Sequence, residues 1–332
     1  MKYPHPSYPA YRPRRLRRNP AVRALVRENT LTTDDLIWPI FLTDSSDESV
    51  DIPTMPGVQR FPISMALEQV CRAYESGIRC IALFPYIEES GKSADCSHAL
   101  DPENLVNRAT RAFKSACPEM LLMTDVALDA YNIHGHDGIV IDGAVDNDAT
   151  LARLCEQAQI HAESGADILG PSDMMDGRIS AIRSTLDDAG FVNTIILSYA
   201  AKFASCLYGP FRDAINSAAA LVGDKKTYQL DPANADEALR MVERDIAEGA
   251  DMVMVKPGLP YLDICRAVTD QFAVPTFAYQ TSGEYTMIRL AIAEGVFNPD
   301  QIIPESLMAF KRAGCDGILT YFAPEAARLL RG

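Results

Sequence analysis

Ala250-Asp-Met-Val-Met-Val-Lys-Pro-Gly258 is the stretch whose reading decides the fold. The apolar run Met252–Val255 stops at Lys256, and Pro257-Gly258 breaks the backbone behind it. A short run rich in β-branched residues reads as a parallel strand covered on both faces. A lysine at its C-terminal end falls where barrels and open α/β sheets carry their chemistry. The plain alternative is a solvated lysine at a strand end.

Similar runs recur on both sides of it: Leu36–Leu42, Cys80–Pro85, Met120–Leu128, Ala166–Gly170, Thr194–Tyr199, Thr276–Tyr279 and Gly317–Tyr321. Amphipathic segments fill the gaps, at Ser64–Ser76, Asn104–Cys117, Ala149–Ser164, Arg178–Ala189, Ala235–Glu248, Tyr261–Phe272, Glu284–Glu294 and Pro304–Ala313. Gly77, Gly165, Gly190, Gly249 and Gly314 close several of these segments, as helix-ending glycines do. One junction is used three times, at Ser164–Asp167, Glu248–Asp251 and Ala313–Asp316. Eight strands, each followed by a crossover, predict an α/β fold of the (β/α)8 TIM-barrel type over residues 31–332. An open doubly wound sheet is the other candidate, but no GxGxxG follows the first run, so dinucleotide binding lacks support.

The chain of 332 residues is 48% hydrophobic and 23% charged, a globular balance. No apolar run is long enough for a membrane span, and Met-Lys-Tyr-Pro-His-Pro is no secretory leader, which points to a cytoplasmic protein. The eight cysteines form no CxxC pair and offer neither a disulfide framework nor a zinc-finger site. A net charge of −14 argues against a nucleic-acid partner. The first 30 residues differ: Pro4, Pro6, Pro9, Pro13 and Pro20 interrupt a basic segment that carries Lys2, Tyr3, Tyr8 and Tyr11. They read as an extended arm that docks on an acidic neighbouring subunit, with a nucleic-acid tail as the weaker reading.

The ends of the strands supply the candidate site. Asp125 and Asp129 follow the third run, Ser172 and Asp173 the fourth, and Lys202 ends Ile195-Ile-Leu-Ser-Tyr-Ala-Ala-Lys202. Lys256 ends the sixth, Gln280-Thr-Ser-Gly283 follows the seventh, and Tyr321 closes the eighth. Adjacent strands lie about 4.8 Å apart, so the two ammonium groups can meet. Like charges brought together out of water lower a lysine's pKa from about 10.4, and a neutral amine forms Schiff bases with carbonyl substrates. The alternative is that one lysine is structural, paired with Asp125 or Asp173. Two long loops remain. Residues 203–229, with Arg212, Lys225 and Lys226, suit a lid over an anionic substrate or a solvated loop. Asp129–Asp148, with His134, His136 and Asp137, fits either a Mg²⁺ site or a polar loop without metal.

Thr124-Asp-Val-Ala-Leu-Asp129, His134-Gly-His-Asp-Gly138, Pro171-Ser-Asp-Met-Met-Asp-Gly-Arg178, Lys202-Phe-Ala-Ser, Tyr208-Gly-Pro-Phe-Arg-Asp213, Met254-Val-Lys-Pro-Gly258, Tyr261-Leu-Asp-Ile264 and Ser282-Gly-Glu284 together resemble porphobilinogen synthase, or 5-aminolevulinate dehydratase. The resemblance runs in order from about Arg12 to the C-terminus. It implies a hydro-lyase that condenses two 5-aminolevulinate molecules, in haem synthesis. A class I Schiff-base aldolase is the alternative. By the resemblance, Lys256 forms the Schiff base with the first substrate and Lys202 binds the second. Arg212 and Lys225 hold the second substrate's carboxylate, and Ser282 and Tyr321 the first's. Asp125 and Ser172 match polar site positions, Phe203 and Phe211 apolar lid positions, and Tyr279 is a further substrate contact. The resemblance also implies homo-octamers or hexamers built through the arm.

Zinc-dependent relatives carry cysteines where this chain has Ala127, Asp129 and Asp137, so zinc is not expected. The aspartates are left to hold Mg²⁺ or the second substrate's ammonium group. Magnesium-responsive relatives carry an allosteric glutamate where this chain has Met241, with Glu237 one turn earlier as a weak substitute. An absent or altered magnesium site is expected, and no organic cofactor.

Overall fold

The computed structural model describes residues 8–217, 221 and 223–331. Eight parallel strands pair in chain order: β1 (Leu36–Leu42), β2 (Cys80–Pro85), β3 (Leu121–Val126), β4 (Ile168–Pro171), β5 (Ile195–Lys202), β6 (Met252–Lys256), β7 (Thr276–Gln280) and β8 (Gly317–Thr320). β8 returns to β1, with Leu36 opposite Ile318 and Ile37 opposite Leu319, so the sheet is a closed barrel. The crossovers carry α1 (Ile63–Glu75), α2 (Leu105–Ala116), α3 (Asn147–Glu163), α4 (Arg178–Asp188), α5 (Ala235–Ala247), α6 (Leu262–Phe272), α7 (Ser282–Ala293), α8 (Pro299–Ala313) and α9 (Ala323–Arg331). Barrel filling on one side and helices on the other bury every residue of β2, which is why the runs lack alternation.

Several boundaries differ from the sequence reading. β3 stops at Val126 and β5 continues to Lys202. α8 begins at Pro299, behind the Asn298 cap, and carries Pro304 inside it. Two short antiparallel pairs, Val50–Asp51 with Gln59–Phe61 and Val140–Ile141 with Ala144–Val145, and α9 had no strong pattern.

The repeated junction has one physical role. Gly165, Gly249 and Gly314 take left-handed backbone at φ 98, 107 and 102°, ending their helices. The aspartate two residues on then grips the preceding strand. Asp167, Asp251 and Asp316 accept from the backbone N–H of Leu122, Ile196 and Thr276, each at 2.8 Å. Their own N–H groups donate back to the carbonyls of the same three residues. Both groups pair locally, so the strand starts need no water.

β5 contains the irregularity that makes the site. Ser198 opposes Val253, yet Ala201 opposes Val255, so β5 carries one extra residue there. Such a bulge reverses which face later residues occupy. Tyr199 points inward, its ring centroid 5.0 Å from Lys256 Nζ. Ser198 points outward, donating to Asp245 on α5 at 2.6 Å. On a regular strand Lys202 would share the face of Ser198; the extra residue turns it to the barrel mouth, as the Cα partner of Lys256.

The residues up to Thr30 cluster as a unit separate from Leu31 onward. Within that unit a 3₁₀ turn, Pro13–Arg17, and a short helix, Pro20–Leu25, follow one another, each opened by its proline. Asn19 caps the helix, accepting from Val22 N–H at 2.9 Å. Lys2, Tyr3, Pro4 and Pro6 lie outside the described residues. Among the described residues no helix is long and apolar enough to cross a membrane.

Candidate active site

Lys256 and Lys202 lie side by side at the C-terminal mouth, both buried, but in opposite environments. Lys256 Nζ sits among four rings, with the centroids of Tyr279, Phe211, Tyr199 and Tyr208 at 4.4, 4.9, 5.0 and 5.3 Å. It makes no hydrogen bond or ion pair with a described residue. Burial, and then the neighbouring Lys202 charge, lower its pKa to about 7. Ring faces favour the ammonium by about 0.5–2 kcal/mol, which burial and Lys202 outweigh.

Lys202 is held by two acceptors. Its Nζ donates to Asp137 Oδ1 at 3.0 Å and to the Ser172 carbonyl. Asp137 is the hub of this half. Its Oδ2 meets Lys225 Nζ at 2.6 Å and accepts from Tyr228 Oη at 3.0 Å. Lys225 Nζ also reaches Asp129 Oδ2 at 3.1 Å. Burial pushes the Asp137 pKa up, but Lys202 and Lys225 together hold it far below the usual carboxylate range. Asp125 lies between the halves. Burial, then repulsion from Asp129, push its pKa up to about 7 against the pull of the two lysines. Its Oδ1 is buried with no hydrogen-bond partner among the described residues, and the Ser172 side chain lies against the carboxyl group.

The other expected residues fall at the same mouth. Phe203 and Phe211 frame the lid: Phe203 stacks on Tyr261 at 4.3 Å, and Phe211 meets Phe84 edge-on at 5.2 Å. Tyr279 and Tyr321 share a hydroxyl contact of 2.7 Å. Ser282, at the start of α7, accepts from Phe211 N–H at 2.9 Å and donates to the Leu207 carbonyl at 3.2 Å. A Cβ on Gly283 would lie 2.6 Å from that carbonyl, so only glycine lets the lid pass so close. Arg212, on the lid helix Gly209–Ala214, is half-buried and makes no ion pair with a described residue. Lys225 is buried against the aspartates, while Lys226 is exposed and pairs with Asp224 at 3.7 Å.

Three sets of residues escaped the sequence reading. Glu284 is buried and its carboxylate takes four donors: Gly258 N–H, Leu259 N–H, Thr281 N–H and Thr281 Oγ1–H, at 3.1, 2.6, 2.8 and 2.6 Å. It fixes the turn directly behind Lys256. The signal was Thr281-x-x-Glu284, a capping box opening α7. Arg60 donates to the Asp213 and Ala214 carbonyls at 2.8 Å each, and Lys92 to the Asn216 carbonyl at 2.5 Å, tying down the end of the lid helix. Tyr199 and Tyr208 complete the cage of Lys256. No local pattern marks these contacts.

The metal expectations can be set against the donors present. At the third-strand loop no thiolate is available, and both oxygens of Asp137 already face ammonium groups. Met241 and Glu237 line a side cavity of about 530 Å³. There Glu237 accepts from Asn234 at 2.7 Å, Asp176 pairs with Arg244, and Met241 offers only a thioether. Among the described residues no group of three or more His, Cys, Asp or Glu side chains is arranged to hold a metal ion.

Comparison with known proteins follows this geometry closely. The family model for delta-aminolevulinic acid dehydratase matches residues 10–329. The delta-aminolevulinic acid dehydratase of Bradyrhizobium diazoefficiens is 57% identical over 322 residues, 97% of this chain and 91% of that one. The enzyme of the same name from Rhodobacter capsulatus is 54% identical over 325 residues, 98% of each. A crystal structure of the Toxoplasma gondii enzyme in complex with its product porphobilinogen superposes with a TM-score of 0.94 at 48% identity, covering 96% of this chain and 91% of that one.

Proposed function

The chain belongs to the delta-aminolevulinic acid dehydratase family, and we propose that its two lysines divide the reaction, Lys256 acting as the nucleophile toward the first substrate and Lys202 as the partner of the second. The protein is a hydro-lyase of porphyrin biosynthesis acting on aminolevulinate. At this identity over nearly the full chain, a single-lysine aldolase has no support.

One observation carries the division. Among the described residues Lys256 has no hydrogen-bond acceptor and Lys202 has two. The neutral Lys256 amine adds to the ketone carbon of the first aminolevulinate. The resulting carbinolamine loses its hydroxyl as water, leaving the protonated Schiff base. Asp125 is matched to that proton transfer, because a group titrating near 7 both holds and releases protons at neutral pH. Asp129 and Asp137 receive the second substrate's ammonium group by exchange with Lys225, which turns to that substrate's carboxylate. The carboxylates are taken by Arg212 with Lys225, and by Ser282 with Tyr321. Ser282 now holds the lid backbone, so the first substrate's carboxylate enters by exchange with it. Phe203, Phe211 and Tyr279 pack against the substrates and exclude water, and Ser172 orients Asp125.

Zinc is not part of this reading, for want of thiolates, nor is the allosteric magnesium ion, given Met241. The arm builds a homo-oligomer, hexamer or octamer, in the cytoplasm. Borohydride reduction with aminolevulinate tests the central assignment. A mass increase of one substrate residue should map to Lys256 and vanish in Lys256→Ala. An undiminished adduct in that variant would sink it.

A further inference from the structure

We propose that Lys225 is the resident cation of the Asp129–Asp137 pair, so that this pair excludes a divalent metal ion in the intact protein. The two carboxylates come from one loop and are both buried. Neighbouring buried carboxylates must share a proton or hold a cation. The Lys225 ammonium lies against both, at 3.1 Å from Asp129 and 2.6 Å from Asp137. Its side chain is only 4% exposed, so it is not a solvated lysine resting on the surface. Lys202 takes the remaining oxygen of Asp137 at 3.0 Å.

The charges close within this cluster: two carboxylates face two ammonium groups. A divalent ion placed here would face both ammoniums at short range. It would also find Asp137 without a free oxygen, whereas magnesium demands near-octahedral oxygen ligands at about 2.1 Å. Removing Lys225 alone reverses both conditions. It leaves one uncompensated negative charge, an oxygen on each aspartate released from its ammonium group, that of Asp137 keeping only the Tyr228 hydroxyl, and a hole the size of an ammonium group. The residue therefore decides whether the loop binds metal, and it sits on the lid, in sequence far from the carboxylates it neutralises.

The inference rests on the reading above for the place of these aspartates in the second substrate's site. Its test needs no turnover, so its failure and that of the Lys256 assignment are separable. Manganese(II) serves as the probe, counted by electron paramagnetic resonance on chelator-treated, substrate-free protein. Wild type and Asp129→Asn should take up the same number of ions per subunit. Lys225→Met should take up one more, lost again in Lys225→Met/Asp129→Asn, and Lys225→Arg should match wild type. Loss of an ion from wild type on Asp129→Asn would overturn the proposal, a comparison that stands even if Lys225→Met does not fold. So would a folded Lys225→Met with no added ion.

Discussion

Lys256 and Lys202 are Cα partners on neighbouring strands, the same residue type at the same depth, yet the protein treats them as different reagents. Around Lys256 it places four aromatic rings and, among the described residues, no hydrogen-bond acceptor. Around Lys202 it places a carboxylate and a carbonyl. The first environment removes water, and burial together with the Lys202 charge outweighs the ring faces and the pull of the nearby carboxylates on the proton. The second ties the nitrogen to Asp137 and to the Ser172 carbonyl, so it is engaged until something displaces them. One nitrogen is ready to attack and the other waits, so a two-substrate reaction can begin at a defined end.

Removing the ready amine has the largest expected effect. Lys256→Met should lower turnover by at least about 10⁴-fold, as loss of a nucleophile does. Lys202→Met should cost about 10³-fold while the borohydride adduct at Lys256 persists; retained activity would make the contrast between the lysines irrelevant to the reaction. Asp137→Asn breaks the contrast from the other side. It strips Lys202 and Lys225 of a shared counter-ion and should destabilise the fold by about 3 kcal/mol. Lys202, freed of that partner, should then form more adduct than in wild type. Unchanged denaturant unfolding together with an unchanged adduct pattern would contradict that. The mildest change is Glu284→Gln. An amide nitrogen would then face backbone donors, loosening the turn behind Lys256. We expect turnover down about tenfold with the pH midpoint of adduct formation unmoved, because Glu284 sets position rather than charge. A shifted midpoint would give it a different role.

The barrel was legible because each strand is a continuous apolar run, each helix amphipathic, and glycine marks the turns between them. Lys256 was legible too, as a charge ending such a run. Lys202 was legible as the charged end of the neighbouring strand, but not why it faces the mouth. Counting by twos from Tyr199 sends it outward, and the single extra residue of β5 that corrects this has no local signature. Lys225 illustrates a different limit. The sequence marked it as a lid cation, but its partners, Asp129 and Asp137, lie on another loop. Long-range pairing of this kind is decided by the closed barrel, which brings the β3 and β5 loops together, rather than by spacing. The clamp of Glu284 falls between: its capping box was visible, but not that the same carboxylate reaches across to Gly258 and Leu259.

The contrast between the two lysines is tested most directly by the pH dependence of Schiff-base trapping, resolved by residue. Burial and the Lys202 charge lower the Lys256 pKa to about 7. Its amine is therefore protonated and inert below that pH and neutral above it. Trapping of aminolevulinate at Lys256 should rise through pH of about 7 and level off, with Lys256 the first residue labelled. A first adduct at Lys202, or a rise at Lys256 that continues toward the ordinary lysine pKa of about 10.4, would contradict it.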